Sequence, residues 1–315
     1  MLAEMGAEKQ LKQKQANAPK KFSKVNIEIS NICNLQCSFC PVVIRTKKLM
    51  EESLFEKVIR EVAPITEQVS FHLMGEPLVH PKLERFIEIC AREKVPVNFV
   101  SNGVLLTDKR AELLLHPIVR QVNFSLHSFH DNFPEKESDE YLEKIFKFTE
   151  AAFEKRPDLY LNYRLWNLPK VDEVENPTQK KNRGMLHAVE KRFGVSMQAK
   201  FDSNFDVRLQ KSYLVKNRLY LHFDTEFIWP SLDLPVIGVK GTCKGLSTHF
   251  GVLAEGTVVP CCLDKEAAIP LGNVLETSIP EILAGERAQN ILKGFRERRL
   301  VEELCQKCQF IERFN

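Results

Sequence analysis

Along the chain, short runs rich in β-branched and alternating apolar residues trade places with longer stretches of helical period. VNIEIS (25–30), QVSFHLM (68–74), VPVNFVS (95–101), QVNFSLH (121–127), LYLNYRLW (159–166) and RLYLHFD (218–224) read as strands. Between them EESLFEKVIREV, HPKLERFIEICAREK and DEYLEKIFKFTEAAFEK read as helices. This alternation predicts an α/β fold, a parallel sheet covered by helices, either open or curled into a full or partial barrel. Sites in such folds gather at the C-terminal ends of strands. Here the first strand runs into three cysteines, the second ends in MGEP, the third in SNG and the fourth in SLHS.

Beyond residue 225 the rhythm stops. Pro and Gly punctuate FIWPSLDLPVIGVKGTC, THFGVLAEGTVVPCC reads as a hairpin turning at Glu-Gly, and SIPEILAGERAQNILKGFRERRLVEELC as one helix. The expected division is a flexible tail at 1–22, a barrel at 23–228 and a smaller α+β module at 229–315.

The 315 residues are 43% hydrophobic and 28% charged, which excludes wholesale disorder. A net charge of +3, from 45 basic against 42 acidic residues, gives no electrostatic case for nucleic acid. The basic run TQKKNRGMLHAVEKRF carries Met185, Leu186, Val189 and Phe193 at helical spacing, so its charges read as a solvated face and not an RNA site. Neither an apolar run long enough to span a bilayer nor an export signal is visible, so no membrane partner and a cytoplasmic location are expected.

That setting changes the meaning of nine cysteines: where thiols stay reduced, clustered ones bind metal or do chemistry. Cys90 falls on the apolar stripe of Leu83, Phe86 and Ile87 and reads as a small core residue. Cys33, Cys37 and Cys40 place three thiols within eight positions, with no fourth Cys or His close in sequence. Zinc prefers paired or mixed Cys/His sets. A [4Fe-4S] cluster held by three thiolates keeps one iron open to an outside ligand.

C-x3-C-x2-C after a first strand resembles the signature of the radical S-adenosylmethionine (SAM) enzymes. The resemblance implies a partial (β/α)6 TIM-like barrel and a cluster whose open iron takes SAM's amino and carboxylate groups. One electron would then release a 5'-deoxyadenosyl radical that abstracts hydrogen from substrate. It implies Phe39 as the residue before the last cysteine. Gly75 and Glu76 would receive SAM's ammonium, with Met74 where the family has a further glycine. Ser101 and Asn102 would bond the ribose. Ser125, His127 and Arg164 fall at the expected rim, Arg164 able to clamp the SAM carboxylate or an anionic substrate group.

Cys243, Gly256, Cys261 and the pair Cys305/Cys308 resemble the opening of the family's SPASM auxiliary-cluster domain, in the shortened Twitch form with one extra [4Fe-4S] cluster. A structural zinc is the alternative for four thiolates. Neighbours in a strand face opposite ways, so only one of Cys261 and Cys262 should reach the cluster easily, and the Gly-x4-Cys spacing of the resemblance selects Cys261. Cys262 is then packing, or a thiol that returns a hydrogen atom.

The Twitch form resembles the aminocyclitol dehydrogenases, which implies oxidation of a small polyol. The alternative is a ribosomally made peptide or a protein side chain, and the rival class is a non-catalytic metal-binding scaffold. His222, Asp224 and Glu226 alternate on one face and are candidates for the base an oxidation needs. The resemblance further implies a low-potential electron donor such as flavodoxin or ferredoxin.

Overall fold

The computed structural model describes residues 22–168, 177–197 and 211–314. Six strands lie parallel and in order: β1 (Lys24–Ile27), β2 (Val69–Phe71), β3 (Val97–Ser101), β4 (Val119–Ser125), β5 (Tyr160–Leu168) and β7 (Leu219–Thr225). The registers Val25↔Val69, Val69↔Val97 and Val97↔Val119 align one apolar position on each successive strand.

Because side chains alternate along a strand, Val25, Ile27, Phe71, Phe99, Phe124 and Tyr163 all fall on the outer face, buried beneath helices. The chief cover is α1 (Glu52–Val62) and α2 (Leu83–Arg92). Leu54, Phe55, Val58, Ile59 and Val62 bury one side of α1, and Phe55 stacks on Phe86 of α2 at 4.0 Å. Fully burying such a side chain stabilises by about 1.5–3 kcal/mol. Cys90 lies in this layer at 0% exposure, as expected.

The inner face is polar. Asn123 Nδ2 donates to Asn98 Oδ1 at 2.7 Å and Asn162 Nδ2 to Asn123 Oδ1 at 2.9 Å, a ladder that satisfies amides which burial would otherwise penalise.

The barrel is not closed. On its far side β7 pairs with β6 (Ser212–Lys216), an antiparallel strand absent from the expected set. Beside β1 lies β8 (His249–Val252), parallel to it and in register Lys24↔His249 to Ile27↔Val252. The expected hairpin is β8 with β9 (Thr257–Val259), and β10 (Gly272–Asn273) follows. The C-terminal residues thus extend the barrel's own sheet to ten strands. The single helix expected at 278–305 is three: α7 (Ile279–Ala284), α8 (Glu286–Arg296) and α9 (Glu303–Gln306). Ser278 and Glu281 form a capping box at the start of α7, while Gly285 leaves the helix conformation and divides α7 from α8.

The basic run forms a helix, Pro177–Phe193, with Met185, Leu186, Val189 and Phe193 buried and Arg192 paired to Glu143 and Glu150. Among the described residues no helix is long and apolar enough to cross a membrane.

Candidate active site

The loop after β1 carries Cys33, Cys37 and Cys40, and it is held from across the barrel mouth. The short helix His127–Asn132 after β4 ends in Asp131 and Asn132. Asp131 accepts from the Ser38 amide and hydroxyl, both at 2.6 Å. Asn132 accepts from the Gln36 amide at 2.8 Å and donates to Cys37 Sγ at 3.1 Å. The Leu35 amide donates to Cys33 Sγ at 3.4 Å. Neither Asp131 nor Asn132 has a local motif in sequence; contact across about ninety residues of chain is what reveals them.

Behind this loop, Gly75 has φ +76°, and a Cβ there would meet the Ser30 carbonyl at 2.2 Å, so the turn requires glycine. That turn directs Glu76 inward. Its carboxylate, 2% exposed, accepts from the Leu78 amide at 3.0 Å and the Asn102 amide at 2.7 Å. Burial raises the Glu76 carboxyl above its usual range, and those amides oppose the rise. Ser101 Oγ and Asn102 Oδ1 accept from the amides of Gly103 and Val104, both at 3.0 Å, while Asn102 Nδ2 donates to Asn34 at 2.9 Å. Their polar atoms therefore already shape the turn after β3. Phe39 packs on His127 at 4.8 Å, and the His127 Nδ1 lies 3.0 Å from the Arg164 carbonyl. Burial pulls His127 down to about 4, so it is a neutral positioning group.

Cys243, Cys261, Cys305 and Cys308 converge from the loop before β8, the end of β9 and α9. The Gly245 amide donates to Cys243 Sγ at 3.5 Å. Because β9 ends at Val259, strand alternation does not govern PCC, and Cys261 and Cys262 both line the cavity. This departs from the expected opposition of the two thiols.

One cavity of ≈ 500 Å³ joins everything: both thiol sets, Phe39, Gly75, Glu76, Ser101, Asn102, Ser125, Arg164, Asp224 and Glu226 all line it. Arg164 lies 4.4 Å over the Trp166 ring, and burial pulls its guanidinium down to about 10. The proposed base residues differ in setting. His222 Nδ1 accepts the Trp166 indole N–H at 2.9 Å, which puts the neutral ring's proton on Nε2. Burial would raise the Asp224 carboxyl, but Arg313 at 2.8 and 3.1 Å and Lys211 at 3.4 Å hold it below its usual value. Glu226 stands exposed at the mouth.

The residues fit iron-sulfur clusters. Burial pushes Cys37 up to about 12 and Cys40 to about 11, which suits neither as a free nucleophile and leaves metal ligation as the way to form thiolates. Amide donors aim at sulfurs in both sets, as groups that steady a cluster's thiolate ligands do. Among the described residues, no three Cys, His, Asp or Glu converge closely enough to hold a single ion.

Comparison with known proteins agrees. The radical SAM superfamily model matches residues 27–175, and SPASM, an iron-sulfur cluster-binding domain, matches 243–309. An S-adenosyl-L-methionine-dependent 2-deoxy-scyllo-inosamine dehydrogenase from Niallia circulans is 30% identical over 104 residues. That match covers 30% of this chain and only 41% of the relative's length. Among crystal structures, BtrN in complex with AdoMet and 2-DOIA has a TM-score of 0.54 at 19% identity, covering 93% of this chain and 94% of that one. Streptococcus suis SuiB bound to the precursor peptide SuiA has a TM-score of 0.60 at 14% identity, covering 97% and 75%. Both share the fold. On the motif, the barrel and these matches together, the chain belongs to the radical SAM superfamily and carries a SPASM iron-sulfur cluster-binding domain.

Proposed function

We propose that this chain is a radical SAM oxidoreductase acting on a small polyol-like molecule. The observation that carries the reading is the single cavity shared by the three-thiol loop, the Glu76 turn and the four-thiol set. A [4Fe-4S] cluster on Cys33, Cys37 and Cys40 would supply reductive cleavage of SAM to a 5'-deoxyadenosyl radical, and one on Cys243, Cys261, Cys305 and Cys308 an acceptor for the substrate's second electron.

The chain's own residues do the rest. Glu76, held by two amides that favour its ionised form against the rise from burial, would receive the SAM ammonium. Ser101, Asn102 and Ser125 line the wall where the ribose would lie, and Phe39 with His127 shapes the side nearest the thiols. Asp224 pins Arg313, so the turn Gln309–Phe314 roofs the cavity with Phe310 and Phe314. That roof favours a small substrate over a ribosomally made peptide, the alternative reading. Reducing equivalents would come from a low-potential donor of the flavodoxin or ferredoxin type.

Anaerobically reconstituted protein should hold about eight irons per chain and form 5'-deoxyadenosine from SAM and a strong reductant. A colourless zinc protein that leaves SAM intact would mean the scaffold reading is right.

A further inference from the structure

Of the nine large apolar side chains that stand exposed among the described residues, five fall in one short stretch: Ile228, Leu232, Val236, Ile237 and Val239, each 43–55% exposed. One such residue needs no explanation, but a run of them marks a face that something covers.

The stretch is fastened down. The Ile237 amide donates to the Gln306 carbonyl at 2.8 Å, and the Lys307 ammonium donates to the Leu232 carbonyl. The Leu300 amide donates to the Val239 carbonyl, and the Gly241 amide to the Arg298 carbonyl, both at 2.9 Å. Gln306 and Lys307 are the two residues between Cys305 and Cys308. The apolar stripe is therefore tied to the backbone that presents two thiols of the four-thiol set, and none of its five members lines the cavity.

Its rim is basic. A groove of ≈ 920 Å³ opens between Val239, Lys240 and Gly241 on one bank and Arg298, Arg299 and Leu300 on the other. Glu297, beside it, pairs with Arg299 at 3.1 Å and Lys293 at 3.9 Å. Lys240 and Arg298 are exposed and have no carboxylate partner among the described residues, and neither lines the thiol cavity. The stripe's own carboxylate, Asp233, accepts from the Ser231 hydroxyl at 3.1 Å. An apolar patch with a basic rim fits an acidic protein, since the cations steer the encounter and the apolar area holds it.

Electron balance calls for such a partner here. In the oxidation proposed above, the 5'-deoxyadenosyl radical takes one hydrogen atom from a carbinol carbon. The substrate radical then loses its hydroxyl proton to solvent and one electron to the four-thiol cluster, and becomes a ketone. That electron must leave the cluster before it can accept another.

We propose that the stripe 228–239 and its basic rim form the docking face for a small acidic iron-sulfur carrier protein, which in its oxidised form takes that electron and returns the four-thiol cluster to its accepting state. The inference rests on the function proposed above and adds the electron acceptor it needs.

The test begins with Cys37→Ala, which keeps only the four-thiol cluster. It is reduced, freed of reductant and mixed in a stopped-flow instrument with an oxidised [2Fe-2S] ferredoxin, whose visible spectrum reads the transfer. At limiting ferredoxin the rate should fall about 10-fold or more when Lys240→Glu and Arg298→Glu are added together, and it should fall as salt is raised. In the holoenzyme, Val236→Asp should weaken calorimetric binding of the oxidised ferredoxin while iron content and 5'-deoxyadenosine formation with dithionite stay unchanged. The proposal falls if ferredoxin neither binds nor is reduced, the electron then returning inside the protein to the three-thiol set. It falls equally if transfer ignores the charge reversal, or if Val236→Asp splits a dimer in light scattering and leaves ferredoxin binding intact, since the stripe would then join two copies of this chain. Ferredoxin that binds through these residues to a four-thiol set holding no reducible cluster would break the function proposed above and leave the docking face standing.

Discussion

The two cysteine regions solve opposite problems. Cys33, Cys37 and Cys40 sit on one continuous loop whose shape is imposed from outside by Asp131 and Asn132, and Cys33 reaches the surface. Cys243, Cys261, Cys305 and Cys308 come from three separate stretches, and their neighbourhood is built by β9, α9 and the turn behind them. Three thiols on a tethered loop leave room for an exchangeable ligand. As cluster ligands, four thiols gathered by tertiary structure would close their site, which suits electron transfer without ligand exchange.

The strongest test of that contrast is to remove one thiol from each. Cys37→Ala should lose about four irons and all 5'-deoxyadenosine formation, whereas Cys305→Ala should lose about four irons and keep it while losing substrate oxidation. Iron analysis and chromatography of the nucleoside check both; equal loss of SAM cleavage would erase the distinction.

Next in size is Arg45, which links the regions. Its guanidinium forks onto Glu28 at 2.8 and 2.9 Å and Glu255 at 3.0 and 2.8 Å, just past the three-thiol loop. Arg45→Met strands the Glu28 carboxylate, whose side chain is 0% exposed, and should cost about 3–5 kcal/mol in denaturant unfolding. Burial already raises Glu28 above its ordinary 4.5 against the pull of Arg45. Without that pull the folded-state value rises further, so the deficit should be full above the raised value and shrink as the pH falls through it.

A smaller effect separates the loops electronically. Asn132→Leu removes the N–H directed at Cys37 Sγ and should make the three-thiol cluster's potential more negative in an EPR-monitored titration, leaving the other cluster unmoved.

Smallest is Asp224→Asn, which unpins Arg313 and should cost about 1 kcal/mol. Because the Asp224 carboxyl is depressed, its contribution is present above the ordinary 3.8 and fades as pH falls below it, measurable in acid unfolding of wild type against variant.

Much of this was legible before any coordinates. All six parallel strands are found at the expected positions because their inner and outer faces alternate cleanly. β6 escaped because it is a half-exposed edge, with Leu214 52% exposed, and its pattern resembles a loop. The stretch 278–305 reads as helix throughout, but Gly285 takes an extended conformation and divides it. Spacing alone singles out the seven clustered cysteines. The supports of the three-thiol loop, Asp131 and Asn132, carry no local signature, since each matters through a partner far along the chain. His222 and Asp224 were visible as polar positions on one face, but not that an indole and an arginine engage them.

The pairing of β8 against β1 carries a further consequence. Cutting the chain before the hairpin would strip one whole side of β1 of its ladder, leaving bare amides and carbonyls that invite another chain to add on. The two halves should accordingly melt as one cooperative unit, and a truncated barrel should precipitate instead of surviving as a minimal enzyme.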